Sequence, residues 1–160
     1  MILIGGIPAH PLIIHCVVVL LPLAALGAIV IAVRPAWRRS LGVPLALITL
    51  VAVAAVPVAV LTGEQLQTAL NGGGPLVLEH ARRAHMLLPY AVAFGVLVLV
   101  TVGAGWRADR TTEPGNGGLV WRRTTTIAGV LAAVLGVVVA GLVVWIGDAG
   151  ATAVWQGVVR

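Results

Sequence analysis

Charge is nearly missing from this chain. Asp, Glu, Lys and Arg make up 9% of its 160 residues, against about a quarter in ordinary soluble domains. That scarcity, together with 60% hydrophobic residues and a mean hydropathy of +1.10, excludes a water-soluble globular fold. A single cysteine, Cys16, excludes an intrachain disulfide and leaves the redox compartment open. No basic segment precedes the first apolar run, so a cleavable signal peptide is not expected and the run should stay as a helix. The positive excess of +5 is spread over short segments between apolar runs instead of forming one patch. Orientation signals are distributed in this way, so nucleic acid is not expected as a partner.

What the chain does have is apolar length. Stretches at 13–33, 41–62, 85–104 and 125–146 can each cross a hydrocarbon core of about 30 Å at 1.5 Å per residue. The expected fold is all-α, a single integral membrane domain over residues 1–160 built as a four-transmembrane-helix bundle. Its helices should lie at about 11–33, 41–69, 75–105 and 123–147. Arg34, Arg38 and Arg39 follow the first span, and Arg107, Arg110, Arg122 and Arg123 lie between the last two. Seven of the ten basic residues therefore share one side, which the positive-inside rule makes cytoplasmic, with both termini outside. Trp37, Trp106 and Trp121 fall at that inner interface, and Trp145 and Trp155 at or near the outer one, as amphipathic rings prefer.

The connections differ in character. "TTEPGNGG", 111–118, is polar and glycine-rich and reads as a flexible cytoplasmic turn. On the other side, 63–70 can prolong the second helix, "NGGG" breaks it and Pro75 can open the third, so that 63–84 forms a lid over the outer mouth. The tail after Gly147 is short and mildly apolar and is expected to lie along the outer interface. His10, preceding Pro11, is expected to be extended and pre-helical.

Two stretches resemble each other. "HPLIIHCVVVLLPLAALG" at 10–27 and "HARRAHMLLPYAVAFG" at 80–95 share H-x4-H followed by an apolar run with proline, and Gly63-Glu64 matches Gly147-Asp148. The match suggests two parallel two-helix repeats related by an axis along the membrane normal. Counting back from Arg34 and Arg107 at 1.5 Å per residue places His15 and His85 roughly 28 and 33 Å above the basic edge, so all four histidines lie near the outer boundary. Glu64, Glu79 and Asp148 lie there too.

Histidines five apart on a helix are separated by about 140°, so neither H-x4-H can grip one ion from a single face, and pairing must run between helices. His15 opposite His85 is the expected ligand pair for a haem b or, failing that, another transition metal. His10 and His80 are expected as outer ligands or proton acceptors, and Glu64, Glu79 or Asp148 as carboxylates that orient a ring nitrogen. The competing reading places the histidines as interfacial polar groups with no cofactor, or as a proton relay. Cys16 is a small apolar filler or a soft ligand, and Arg82 and Arg83 pair with Glu79 or bind an anionic headgroup.

At "GGIPAHPLIIHCVVVLLPLAALGA", "PLVLEHARRAHMLLPYAV" and "IGDAGATAVWQG" the sequence resembles the bacterial four-helix membrane family known as domain of unknown function 2231, over nearly the whole chain. His10-Pro11, His15, Gly63-Glu64 and Glu79-His80 look like its recurrent positions. Where many relatives have Gly-His after the last helix, this chain has Gly147-Asp148. The resemblance implies an actinobacterial-type plasma-membrane protein without assigned activity. Similar modules fused to Rieske iron–sulfur domains imply respiratory electron transfer, although this chain has no Cys-x-His pair to form such a centre.

The expectation carried forward is a small haem- or metal-binding membrane protein, a subunit or accessory of a redox complex and not an enzyme by itself. Its partners would be the lipid bilayer, a Rieske-type or cytochrome subunit and a second copy of the chain in a homo-oligomer. The alternative is a non-redox structural or assembly subunit. A transporter is disfavoured, because no charged residue falls at a span's midpoint. The topology is directly testable. In a Cys16→Ala background, a cysteine at Gly73 should react with an impermeant thiol reagent on whole cells and one at Gly117 should not; the reverse labelling would overturn the orientation.

Overall fold

The computed structural model describes residues 2–111 and 116–156. Four helices, α1 (Ala9–Val33), α2 (Arg38–Ala69), α3 (Pro75–Arg110) and α4 (Asn116–Trp155), follow a small antiparallel hairpin of β1 (Leu3–Ile4) and β2 (Ile7–Pro8). All four helices are long and apolar enough to cross a membrane. α1 packs beside α2 and α4, and α3 packs beside the same two, so α1 and α3 lie diagonally opposite across the bundle. One end carries the four histidines and the other carries Arg34, Arg38, Arg39, Arg107 and Arg110.

The buried stripes follow from helix period. In α1, Val17, Leu21, Ala24, Ala28 and Ile31 recur at spacings of three and four and turn inward. In α3 the equivalent set is Leu87, Ala91, Phe94, Val98 and Thr101, each 70 positions after its partner in α1. The buried positions of α2, Leu45, Thr49, Ala52, Val56, Ala59 and Thr62, recur in α4 as Ala132, Gly136, Val139, Val143, Ile146 and Ala149, each 87 positions on. The same two offsets carry His10 to His80, Ala59 to Ile146 and Gly63 to Gly150, positions whose contacts match in the two halves, and this identifies the halves as a two-helix repeat. The second offset is larger because α3 runs on to Arg110, past Gly103, the counterpart of the α1 end at Val33, and because α4 starts at Asn116, ahead of Thr125, the counterpart of the α2 start at Arg38.

This register corrects the expected match of Gly63-Glu64 to Gly147-Asp148. Gly63 is equivalent to Gly150 and Glu64 to Ala151, three positions further along. Other expectations change as well. α1 begins at Ala9, so His10 is helical and Pro11 stands in the first turn, where its missing N–H has no intrahelical partner to lose. The tail does not lie flat, because α4 continues unbroken to Trp155. The turn after α2 forms as expected, with Asn71, Gly72 and Gly73 all at positive φ and Pro75 opening α3. Of the connection expected at 111–118, residues 112–115 lie outside the described residues and 116–118 belong to α4.

The N-terminal hairpin has no signal in hydrophobic period. Its turn, Gly5-Gly6, has φ of +58° and +82°, the left-handed pair that closes tight hairpins and that glycine adopts without strain. The backbone N–H of Ile2 donates to Gln65 Oε1 at 3.1 Å, which pins the hairpin to α2.

At the arginine end, Arg38 Nη2 donates to both oxygens of Asp109, at 3.1 and 3.2 Å, and Arg39 Nε reaches Asp109 Oδ2 at 3.4 Å, tying α2 to α3. Arg38 passes over Gly105, where a Cβ would lie 2.1 Å from its Nε. Two arginines of α3 also stack on α4 tryptophans, Arg83 on Trp145 at 4.3 Å and Arg107 on Trp121 at 5.3 Å, each cation–π contact being worth about 0.5–1 kcal/mol at an exposed site.

The repeat is least equal at its centre. Phe94, wholly buried, stands where α1 has Ala24, and Gly136 stands where α2 has Thr49. A Cβ on Gly136 would come within 3.1 Å of both the Phe94 ring and the Ala25 Cβ. Large and small side chains thus compensate across the α3–α4 contact. Gly136→Val should therefore overpack the bundle and destabilise it by about 1–3 kcal/mol, and Phe94→Leu in the same chain should recover part of that loss. Thermal unfolding midpoints in detergent check this; additive losses would contradict it.

Candidate functional site

The helix phase that buries the core also selects which histidines enter it. His10 lies seven residues before Val17 and eleven before Leu21, on the buried stripe of α1. His80 stands in the same relation to Leu87 and Ala91 in α3. His15 and His85, rotated by about 140° from those stripes, are both exposed.

Both inward rings are held alike. His10 Nδ1 lies 3.0 Å from the Ala59 carbonyl oxygen of α2, and His80 Nδ1 lies 3.0 Å from the Ile146 carbonyl oxygen of α4. A helix carbonyl has a second lone pair beside its i+4 bond, and in each case the residue four further on is glycine. A Cβ on Gly63 would stand 3.0 Å from His10 Cε1, and one on Gly150 would stand 3.0 Å from His80 Cε1. Glycine is what lets the ring lie flat against the helix and reach the carbonyl.

The tether also assigns the proton. A carbonyl only accepts, so each ring donates from Nδ1–H, and in its neutral form keeps a lone pair on Nε2. Among the described residues no protein group bonds either Nε2. The two rings, on diagonally opposed helices, line the same two cavities. Together they separate a chamber of about 410 Å³, open toward the histidine end, from a cavity of about 50 Å³ beneath, walled by Val17, Val56, Leu87 and Val143.

The remaining candidates are placed as follows. His85 lines the chamber wall and its Nε2 lies 3.2 Å from Glu64 Oε1. With side chains 56% and 49% exposed, that pair contributes about 0–1 kcal/mol. His15 does not line the chamber. Its Nδ1 meets the Pro11 carbonyl of its own helix, so the expected facing pair of His15 and His85 is not formed, and the inward pair is His10 and His80. Glu79 is occupied by Arg82 and Arg83, at 2.8 and 2.7 Å, and touches no histidine. Asp148 is exposed and outside the chamber wall, and Cys16 is exposed on α1. Residues of the segment 63–84, Leu70 and Val77 among them, line the chamber. Among the described residues, no three His, Cys, Asp or Glu side chains converge to hold a metal ion.

Depth along the helix, which brings all four histidines to one end, does not distinguish the inward pair. The distinguishing signals are the angular phase of positions 10 and 80 against the apolar stripe, and a glycine at the opposing height in the next helix.

No curated protein and no solved structure matches the chain. A family model described as a predicted membrane protein, domain of unknown function 2231, matches residues 6–160. The chain, with its four membrane-length helices and its paired halves, belongs to that family.

Proposed function

We propose that this is a small bacterial plasma-membrane protein, histidine end outward, that holds a haem b or other transition-metal centre between His10 and His80, as a subunit or accessory of a redox complex with a Rieske-type or cytochrome partner. The observation that carries the reading is the matched pair of imidazoles, each tethered through Nδ1 to a carbonyl and each retaining an Nε2 lone pair. A histidine ligand is commonly oriented by such a hydrogen bond from its other nitrogen, which fixes the tautomer and raises basicity. Two protein ligands without a third fit a centre whose remaining positions are filled by a macrocycle better than a bare ion. His10 and His80 would hold such a group through Nε2, and the chamber wall offers no arginine or lysine among the described residues. A haem bound there would supply single-electron transfer. Glu64 and His85 stand at the wall as the polar neighbours of such a centre.

The assembly reading treats the same hydrogen bonds as staples joining α1 to α2 and α3 to α4. It accounts for the tethers but not for a chamber above two unpartnered nitrogens.

Expression with haem precursor and metals supplied, followed by reduced-minus-oxidised spectra and metal analysis, tests the proposal. Bound haem or stoichiometric metal should be lost in His10→Ala and in His80→Ala, reduced in His85→Ala and unchanged in His15→Ala. Preparations of the folded wild-type chain carrying neither would overturn it.

A further inference from the structure

We infer that the chamber at the histidine end is a binding site for a neutral, hydroxyl-bearing aromatic amphiphile of the phenol or hydroquinone class. Its volume of about 410 Å³ falls within the range of about 300–1,000 Å³ typical of small-molecule sites. Most of the wall is aliphatic, including Ile14, Val60, Leu66, Val77 and Val154, with the Trp155 ring on one side. This surface suits a planar apolar body.

The polar groups that do line it point to the ligand's hydrogen-bonding sense. His10 and His80 line it too, and because their Nδ1 protons are committed to carbonyls, a neutral ring has only Nε2 left to offer, as an acceptor. Glu64 presents a carboxylate, of which Oε1 meets His85. Gln67 donates its amide N–H to the Gly72 carbonyl, which leaves its side-chain oxygen as acceptor. The wall is therefore rich in acceptors, and with no arginine or lysine among the described lining residues an anionic ligand would find no counter-charge. The complement of such a wall is a neutral molecule that supplies O–H donors.

The departure from two-fold equivalence orients that molecule. Glu64 and Gln67 of α2 correspond, 87 positions on, to Ala151 and Val154 of α4, and both pairs line the chamber. One wall thus carries the acceptors while the opposite wall is apolar and ends in Trp155. A hydroxyl directed at Glu64 or at the imidazole floor leaves the ring against α4.

The inference does not require a metal at the imidazole pair. A macrocycle would fill the same chamber and exclude the amphiphile, so the two occupants are separable by experiment. The full chain in lipid nanodiscs is titrated with naphthol and, in parallel, with its methyl ether, while tryptophan fluorescence is followed; Trp155→Phe gives the signal from the other four tryptophans. Naphthol should quench Trp155 saturably and half-saturate at about tenfold lower concentration than the ether, as expected for one hydrogen bond to a charged or strong acceptor. Glu64→Ala should weaken naphthol several-fold and leave the ether unchanged. Ala84→Leu, or Ala81→Leu if the first unfolds, should abolish saturable quenching while the thermal midpoint stays near wild type. Equal curves for the two probes, or quenching that survives both chamber-filling variants, would overturn the inference. So would bound haem that blocks naphthol, an outcome that supports the metal reading and assigns the chamber to the macrocycle.

Discussion

An imidazole on the buried stripe of a membrane helix is tolerable only if its N–H finds a partner, because hydrocarbon offers none. In this protein that partner is a main-chain carbonyl of the adjacent helix, Ala59 for His10 and Ile146 for His80. Much else follows from the requirement. The acceptor helix must leave room beside a carbonyl already used in its own ladder, which places glycine at 63 and at 150. Helices α1 and α2 must hold one relative height, and α3 and α4 the same. The ring's remaining nitrogen must be a base, not a donor. Both halves meet these conditions with nearly identical distances, so their equivalence at the histidine end extends to the atoms that hold each ring.

Away from that end the halves diverge where packing permits. Phe94 takes volume that Gly136 gives up, and the arginine end is fastened by an ion pair with no counterpart in the other half, because the position equivalent to Arg38 is Thr125. Arg38 lies over Gly105 with its guanidinium on Asp109, a contact a side chain at 105 would block. Its Nε is buried without a partner among the described residues, and Arg38 lines a cavity of about 60 Å³ with Thr101, Thr125 and Thr126. The arginine end is thus fastened by an ion pair between helices, and the histidine end by the two ring-to-carbonyl hydrogen bonds, the Glu64–His85 contact and the Arg83–Trp145 stack.

The fold was legible in the sequence because apolar length and scarcity of charge leave few alternatives, and the four spans and the Asn-Gly-Gly-Gly break emerge where composition placed them. The repeat was visible in H-x4-H, yet its register was not. Gly147-Asp148 resembles Gly63-Glu64 in letters, whereas the true equivalent, Gly150, is marked only by what its missing side chain admits. The site was half legible. Height along the helix gathered the histidines correctly, but height does not rank them; the phase that turns His10 and His80 inward depends on α1 starting at Ala9, ahead of Pro11. Counted in heptads, 10 and 17, or 80 and 87, share a face. The carbonyl partners themselves carry no sequence signal, since any residue's backbone could serve.

Everything at the histidine end turns on the tether of His10 and His80 through Nδ1–H to a helix carbonyl, which leaves Nε2 as the free nitrogen of each ring. Nitrogen-15 chemical shifts of histidine-labelled, cofactor-free protein carrying His15→Gln and His85→Gln, recorded above the histidine titration range, test it most directly. The account predicts that both remaining rings are protonated on Nδ1 and unprotonated on Nε2, each as one slowly exchanging tautomer. Protons on Nε2, or rapid exchange between tautomers at either ring, would contradict it.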